Sequence, residues 1–194
     1  PNIAPVQVVI IPIAQKKEGV LEKANEIYDK MKSKGIRVEL DDDADNSPGW
    51  KFNQYEMKGY PIRIEIGPRD IENNQAIAVR RDKLEKEIIS LDNIEDTIFS
   101  MLSTMQQDLF EKAKAHREAH TYIVNDYEEY KKELSEKPGF AKMMWCGCRE
   151  CEEKLKEETG ATIRCIPFEQ ENLGDKCPVC GKEAKHMVYV ARAY

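Results

Sequence analysis

Val6-Gln7-Val8-Val9-Ile10-Ile11-Pro12 is a nearly continuous apolar and β-branched run, the pattern of a strand buried on both faces. After Gly19, the residues Val20, Ala24, Ile27, Tyr28 and Met31 recur at steps of three and four until Gly35, which predicts an amphipathic helix stopped by glycine. Ile36 to Leu40 then alternates as a strand. Strand, helix and strand in this span predict a βαβ unit with two parallel strands and a right-handed crossover. Asp41 to Gly49 reads as a polar loop, and Pro48-Gly49 marks a turn before a short helix from Trp50 to Lys58 that Gly59 ends. From Pro61 to Ile66 the period is two, so Ile62, Ile64 and Ile66 share one face while Arg63 and Glu65 share the other. Gly67 to Asp70 turns the chain, and Gln75 to Val79 predicts one more strand, followed by Arg80-Arg81. The expected class is α/β, with a mixed sheet flanked by helices.

Ile94, Ile98, Met101, Leu102, Met105, Leu109 and Ala113 keep helical spacing, predicting an unbroken helix to about Ala119 with Asp92 or Asn93 at its start. A shorter helix is expected from Asp126 to Leu134, broken by Lys137-Pro138-Gly139. The breaker sets the expected boundaries: residues 1–119 as one domain, 120–139 as a helical linker, and 140–194 as a smaller α+β domain. No internal repeat is present.

Hydrophobic residues make up 41% and charged residues 34% of the 194, and no apolar run nears the roughly 20 residues of a membrane span. A membrane protein is excluded on this ground. Residues 1–20 lack the pattern of a secretion signal, and a chain starting at Pro1 reads as a segment of something longer. A formal charge of −6, from 30 Lys and Arg against 36 Asp and Glu, argues against a surface that grips nucleic acid all over. It leaves room for a local basic patch, in the first half of the chain because the acidic excess lies in the second.

The cysteines change the picture further, because all six fall between Cys146 and Cys180. Such crowding predicts a local metal site in a reducing, cytoplasmic compartment rather than a disulfide framework. Cys177-Pro178-Val179-Cys180-Gly181-Lys182 has the form of a metal knuckle, with Gly181 free to take a positive φ. Its partner pair comes from Cys146, Cys148, Cys151 and Cys165, and spacing alone allows either Cys146 with Cys151 or Cys148 with Cys151. Four thiolates suit zinc in a closed, structural site. Cys165, alone in an apolar stretch, reads as an ordinary buried thiol. A thioredoxin-like redox pair is disfavoured by Gly181 and the neighbouring cysteines.

The remaining candidates are weaker. His116 and His120 lie one helical turn apart but read as a solvated face, and His186 is placed as a neighbour of the knuckle. Asp41-Asp42-Asp43-Ala44-Asp45 reads as a solvated turn rather than a magnesium site. No phosphate loop, nucleophile elbow or paired-carboxylate motif appears, so the chain reads as a binding module. From Trp50 onward, aromatics (Trp50, Phe52, Tyr55, Tyr60) interleave with cations (Arg63, Arg69, Lys86) and acids (Glu56, Glu65, Asp70). Single-stranded RNA is read by such mixtures: rings stack on bases, cations hold phosphate, and carboxylates accept base hydrogens.

Several motifs also carry a resemblance. Val38 to Asp42, Pro48-Gly49-Trp50-Lys51-Phe52-Asn53, Glu56 to Arg63 and Ile66-Gly67-Pro68-Arg69-Asp70 closely resemble the anticodon-binding domain of prolyl-tRNA synthetase. The cysteine segment with Cys165-Ile166-Pro167-Phe168 and the closing Ala191-Arg192-Ala193-Tyr194 resembles the extra C-terminal domain of that enzyme's archaeal and eukaryotic type. The resemblance implies a class IIa anticodon-binding fold in a class II synthetase that uses ATP to activate proline and esterifies it to tRNA. The catalytic domain, with its ATP and magnesium, is expected before Pro1, leaving this segment to read the anticodon. The family reads the anticodon guanines on the exposed sheet face and its loops, which implies Glu56, Arg69, Asp70 and Lys86, with Arg63 in support. Its ligand pattern implies zinc on Cys146, Cys151, Cys177 and Cys180, with Cys148 as a competing thiol. The implied partners are proline tRNA through its anticodon loop, the enzyme's own catalytic domain, and a second subunit in a full-length homodimer; membrane and DNA are not expected. The final Tyr194 resembles a family tyrosine placed near the catalytic domain. An independent zinc-containing module that binds RNA or protein is the alternative, and a redox or metal-transfer protein is a third reading.

Overall fold

The computed structural model describes residues 1–193, so the expectation for Tyr194 lies outside it. The chain divides into two units, Pro1–Phe110 and Glu111 onward.

In the first unit the strands are β1 (Val8–Pro12), β2 (Val38–Leu40), β3 (Ile62–Ile66), β4 (Gln75–Arg80) and β5 (Lys86–Ser90). They form one mixed sheet in the order β2-β1-β3-β4-β5. β1 runs parallel to both β2 and β3, and β3, β4 and β5 are antiparallel. The helices are α1 (Val20–Ser33), α2 (Pro48–Lys58), α3 (Pro68–Glu72) and α4 (Ile94–Ala119), of which the part up to Phe110 belongs to this unit. On one face of the sheet Val8, Ile10, Ile62, Ile64 and Ile66 pack with Ile27 and Met31 of α1 and Ile98 and Leu102 of α4. The mixed sheet and flanking helices are those the periodicity predicts.

The opposite face corrects the sequence reading. Arg63 and Glu65 sit opposite Val9 and Ile11 in the β1–β3 register, and α2 lies over this face, packing Tyr55 and Phe52 against Val9 and Ile11. Arg63 and Glu65 are therefore buried rather than exposed. Alternation reports which residues share a face but not what covers it. α2 also starts earlier than Trp50: the Ser47 hydroxyl accepts from the Trp50 amide at 3.3 Å, with Pro48 in the first turn. The expected turn at Gly67 to Asp70 is the start of α3, and β5, an outer strand, was not predicted.

The second unit contains β6 (Thr121–Val124), α5 (Tyr127–Glu136), β7 (Phe140–Trp145), α6 (Arg149–Thr159), β8 (Ala161–Cys165) and β9 (His186–Arg192). Its sheet has the order β6-β7-β9-β8, with β6 parallel to β7 and the other pairs antiparallel. Val124, Tyr130, Leu134, Met143, Leu155, Val188 and Val190 share its core. Residues 121–136 are thus an outer strand and a core helix rather than a linker. Asp126 caps α5, its carboxylate accepting from the Glu129 amide at 2.9 Å. Cys165 is also corrected: at the end of β8, past a register shift, it is exposed.

The start of the β6–β7 pair has no room for a side chain at Gly139. A methyl group there would lie 2.3 Å from the His120 carbonyl oxygen, the same oxygen that accepts from the Phe140 amide at 2.8 Å. Gly139→Ala is expected to destabilise the second unit by about 1–3 kcal/mol, the usual range for overpacking. Thermal unfolding of the variant checks this, and an unchanged midpoint would mean that the two strands part at no cost.

Candidate functional site

The buried face under α2 gathers three of the five residues singled out for RNA. β3 carries Arg63 and Glu65 two positions apart, so both project to the α2 side, where the Arg63 Nε donates to Glu65 Oε1 at 3.1 Å. Its Nη1 donates to Glu56 Oε1 on α2 at 2.7 Å, and its guanidinium lies over the Phe52 ring, 4.2 Å from the centroid. From β5, Lys86 Nζ donates to the second Glu65 oxygen at 3.0 Å. Glu65, named in the sequence reading only among the acids of the mixed stretch and not among the five, joins the set. The signal for it was present, since alternation puts it on the face of Arg63.

Exposure rises sharply from the base of this cluster to its rim. The side chains of Arg63 and Glu65 are 10% and 6% exposed, against 35% for Glu56 and 59% for Lys86. A fixed guanidinium–carboxylate base thus holds a carboxylate and an ammonium at the surface. Arg69 and Asp70 are not part of it. Both lie on α3, where Asp70 Oδ2 accepts from the Gly67 amide at 2.9 Å and caps the helix. Arg69 is exposed and has no ion-pair partner among the described residues.

Next to this cluster, the acidic loop after β2 is organised inward as well. Lys51 on α2 is 2% exposed; its ammonium donates to Asp41 Oδ1 at 2.8 Å, to the Asp41 carbonyl at 3.2 Å and to the Asp43 carbonyl. The Asp43 carboxylate accepts from the Asp45 amide at 2.8 Å and from Asn46 at 2.6 Å. The turn is solvated at Asp42 and Asp45 but not at Asp41, which is tied to Lys51. Beside it, Tyr60 donates to Glu39 at 2.6 Å; burial, then that carboxylate, pushes its phenol up to about 12.

In the second unit, the sulfurs of Cys146, Cys151, Cys177 and Cys180 all lie within 4.8 Å of one another. Cys146 Sγ is 3.5 Å from Cys151 Sγ and 3.6 Å from Cys180 Sγ. Cys146 follows β7 and Cys151 sits in the first turn of α6. Cys177 and Cys180 lie on a tight turn closed by hydrogen bonds from Gly181 N to the Cys177 carbonyl and from Cys177 N to the Lys182 carbonyl, each 2.8 Å. Gly181 has φ +72°, a conformation that favours glycine. Such a group of thiols is able to hold a metal ion. His186 stands opposite Trp145 in the β7–β9 register, with the two rings 6.3 Å apart, and is not among the four. His116 and His120, both exposed, stack on each other at 4.1 Å.

Comparison with known proteins accounts for both units. Residues 7–100 match the family model described as anticodon binding domain, and residues 127–194 match the one described as prolyl-tRNA synthetase, C-terminal. Over all 194 residues the chain is 64% identical to Proline--tRNA ligase of Acetoanaerobium sticklandii and 62% identical to Proline--tRNA ligase of Alkaliphilus oremlandii. It is 58% identical to Proline--tRNA ligase 2 of Clostridioides difficile. Each match covers the whole of this chain and 40% of the relative, so the chain spans about two-fifths of the length of the relatives it matches. These relatives are bacterial, so the archaeal and eukaryotic label does not describe their source. With both halves matched in order and every residue aligned to these ligases, the chain belongs to the prolyl-tRNA synthetase family, as its C-terminal part.

Proposed function

We propose that this chain reads the anticodon of proline tRNA for a proline--tRNA ligase, a protein that uses ATP to form prolyl-adenylate and transfers proline to the tRNA. ATP and magnesium belong, on this reading, to a catalytic domain in the part of the relatives that this chain does not span. The observation that carries the reading is the paired rim over the Arg63–Glu65 base. Guanine presents two hydrogens, on N1 and N2, beside the O6 acceptor. Glu56 accepts the first two and Lys86 donates to the third, while Arg63, fixed on Phe52, keeps the glutamate in place. Arg69 and Asp70 serve a neighbouring nucleotide, the arginine on phosphate or O6 and the aspartate on base hydrogens.

The test is binding of the 194-residue chain to a proline tRNA transcript and to the same transcript with its anticodon guanines replaced, at two salt concentrations. Replacement is expected to lower affinity, and Glu56→Gln to reduce the discrimination between the two transcripts by about 1–3 kcal/mol. Equal losses for both transcripts would make Glu56 a structural residue. Equal binding of both by the unaltered chain would favour an interaction module without a decoding role.

For the thiols, zinc is the ion proposed, in a closed structural site. A tetrahedron with Zn–S bonds of about 2.3 Å has sulfur–sulfur edges of roughly 3.8 Å, near the 3.5 and 3.6 Å separations here. Reduced thiols fit a cytoplasmic protein, and among the described residues no helix is long and apolar enough to cross a membrane. The full-length enzyme is proposed to be a homodimer in which this part adjoins its own catalytic domain.

A further inference from the structure

The sheet of the second unit buries one face and leaves part of the other open. Val124, Met143 and Val188 point into the core, so the alternate positions of β6, β7 and β9 point away from it. The register sets one such residue from each strand in a row: Ile123 opposite Lys142, Lys142 opposite Tyr189, and Tyr189 opposite Cys165. Phe140, two residues before Lys142, shares this face and lies diagonal to Tyr189 across the two central strands. Ile123, Phe140 and Cys165 are exposed. With Tyr189 they line a groove of about 860 Å³, bordered by Arg117 in the last turn of α4 and by Arg164 on β8. The end of α4 is fixed to β6 by the Thr121 hydroxyl, which donates to the Arg117 carbonyl at 2.7 Å. Cations outnumber acids around this groove, Arg117, Lys142 and Arg164 against Glu118, in a chain whose net charge is −6. Arg164 donates to Thr162 Oγ1 at 3.1 Å and has no ion pair among the described residues, and Arg117 comes no nearer than 3.8 Å to the adjacent Glu118. Lys142 is held by Glu171 at 2.8 Å, with its ammonium 5.6 Å from the centroid of the Tyr189 ring.

We propose that this face takes unpaired nucleotides of proline tRNA other than the anticodon guanines. A four-stranded sheet with rings on its central strands is a recurrent platform for single-stranded RNA. Here Phe140 on β7 and Tyr189 on β9 offer the stacking surfaces, and Arg117, Lys142 and Arg164 surround them as partners for phosphate. Stacking and phosphate pairing carry little base preference, so the contact adds affinity without adding discrimination. A protein segment is the other occupant an open sheet face could take, and the excess of cations around exposed rings favours RNA. The inference rests on the tRNA-binding reading above and adds to it a contact in the other unit.

The probes are the two proline tRNA transcripts already described, with and without the anticodon guanines, and the protein is the 194-residue chain. Tyr189→Leu is expected to weaken binding of both transcripts by about fivefold or more, the low end of base–aromatic stacking, and to leave the ratio between them unchanged. Tyr189→Phe keeps the ring and is expected to bind as the unaltered chain does. Arg164→Gln, at an exposed position, is expected to lower the slope of log affinity against log salt by about one. Thermal unfolding identifies a Tyr189→Leu chain that has lost its fold, in which case Arg164→Gln decides. Iodoacetamide labelling of Cys165, read by mass spectrometry, supplies a second readout: either transcript is expected to protect this thiol, which stands opposite Tyr189. Full affinity and an unchanged salt slope in Arg164→Gln, with Cys165 labelled at the same rate with and without RNA, would overturn the proposal and leave the face to a protein segment. Anticodon reading would still stand in that case if guanine replacement lowers affinity. Binding of neither transcript by the unaltered chain would overturn both.

Discussion

Cys177→Ser, or removal of metal by a strong chelator, is expected to unfold the second unit while the first unit's transition stays in place. The segment from Ile166 to Lys185 has no helix or strand of its own beyond one isolated bridge between Lys176 and Glu183. Its order rests on the tight turn and on the sulfurs that meet Cys146 and Cys151. Without an ion, three buried thiols face one another, and burial raises the Cys151 thiol well above its ordinary range. Binding of structural zinc yields about 10–16 kcal/mol in zinc-finger peptides, against a total stability of about 5–15 kcal/mol for a domain. Even a fraction of that term exceeds what a unit with only a modest apolar core keeps in reserve. Calorimetry with metal analysis decides the matter: normal metal content and an unchanged transition in Cys177→Ser would refute the assignment of Cys177 as a ligand.

The second large effect is expected in the first unit, from Lys51→Met. Methionine matches the length and packs in an apolar site, but it leaves the Asp41 carboxylate, 9% exposed, without its cation. The carbonyls of Asp41 and Asp43 lose their shared donor as well. Breaking one partner out of a buried pair typically costs about 3–5 kcal/mol. Urea unfolding should show a much lower midpoint, with a second change, Asp41→Asn, restoring part of it because the remaining carboxylate charge is gone. A loss below about 1 kcal/mol, the scale of an exposed pair, would mean that the acidic loop swings open to water.

These two sites differ in how far the residues announced them. The βαβ start was legible because its signals agree: an apolar run for β1, steps of three and four through α1, and Gly35 at its end. α4 was legible for the same reason, its apolar spacing running without a breaker from Ile94 to Ala119. β5 was not, since only Ile89 of its five residues is buried, and a strand with one buried position has no alternation to detect. β6 is four residues long between two helices and reads as an extension of either. For the candidate RNA site, sequence names the chemistry of Arg63, Glu65 and Glu56 but not their depth, which depends on where α2 lies. For the thiols, spacing left two pairings open, because the direction of each sulfur around Gly147 is a matter of one backbone angle.

β5 has one more consequence. It closes one edge of the first unit's sheet, and an edge strand with free amides and carbonyls is a template on which another chain can add a strand. Ile88, 67% exposed in its middle, is the sticky position, and Lys86 and Glu87 beside it act as gatekeepers against aggregation. The lysine proposed to meet guanine therefore also guards solubility. A probe such as Lys86→Leu would confound lost decoding with self-association, whereas Lys86→Gln removes the charge and leaves the edge polar.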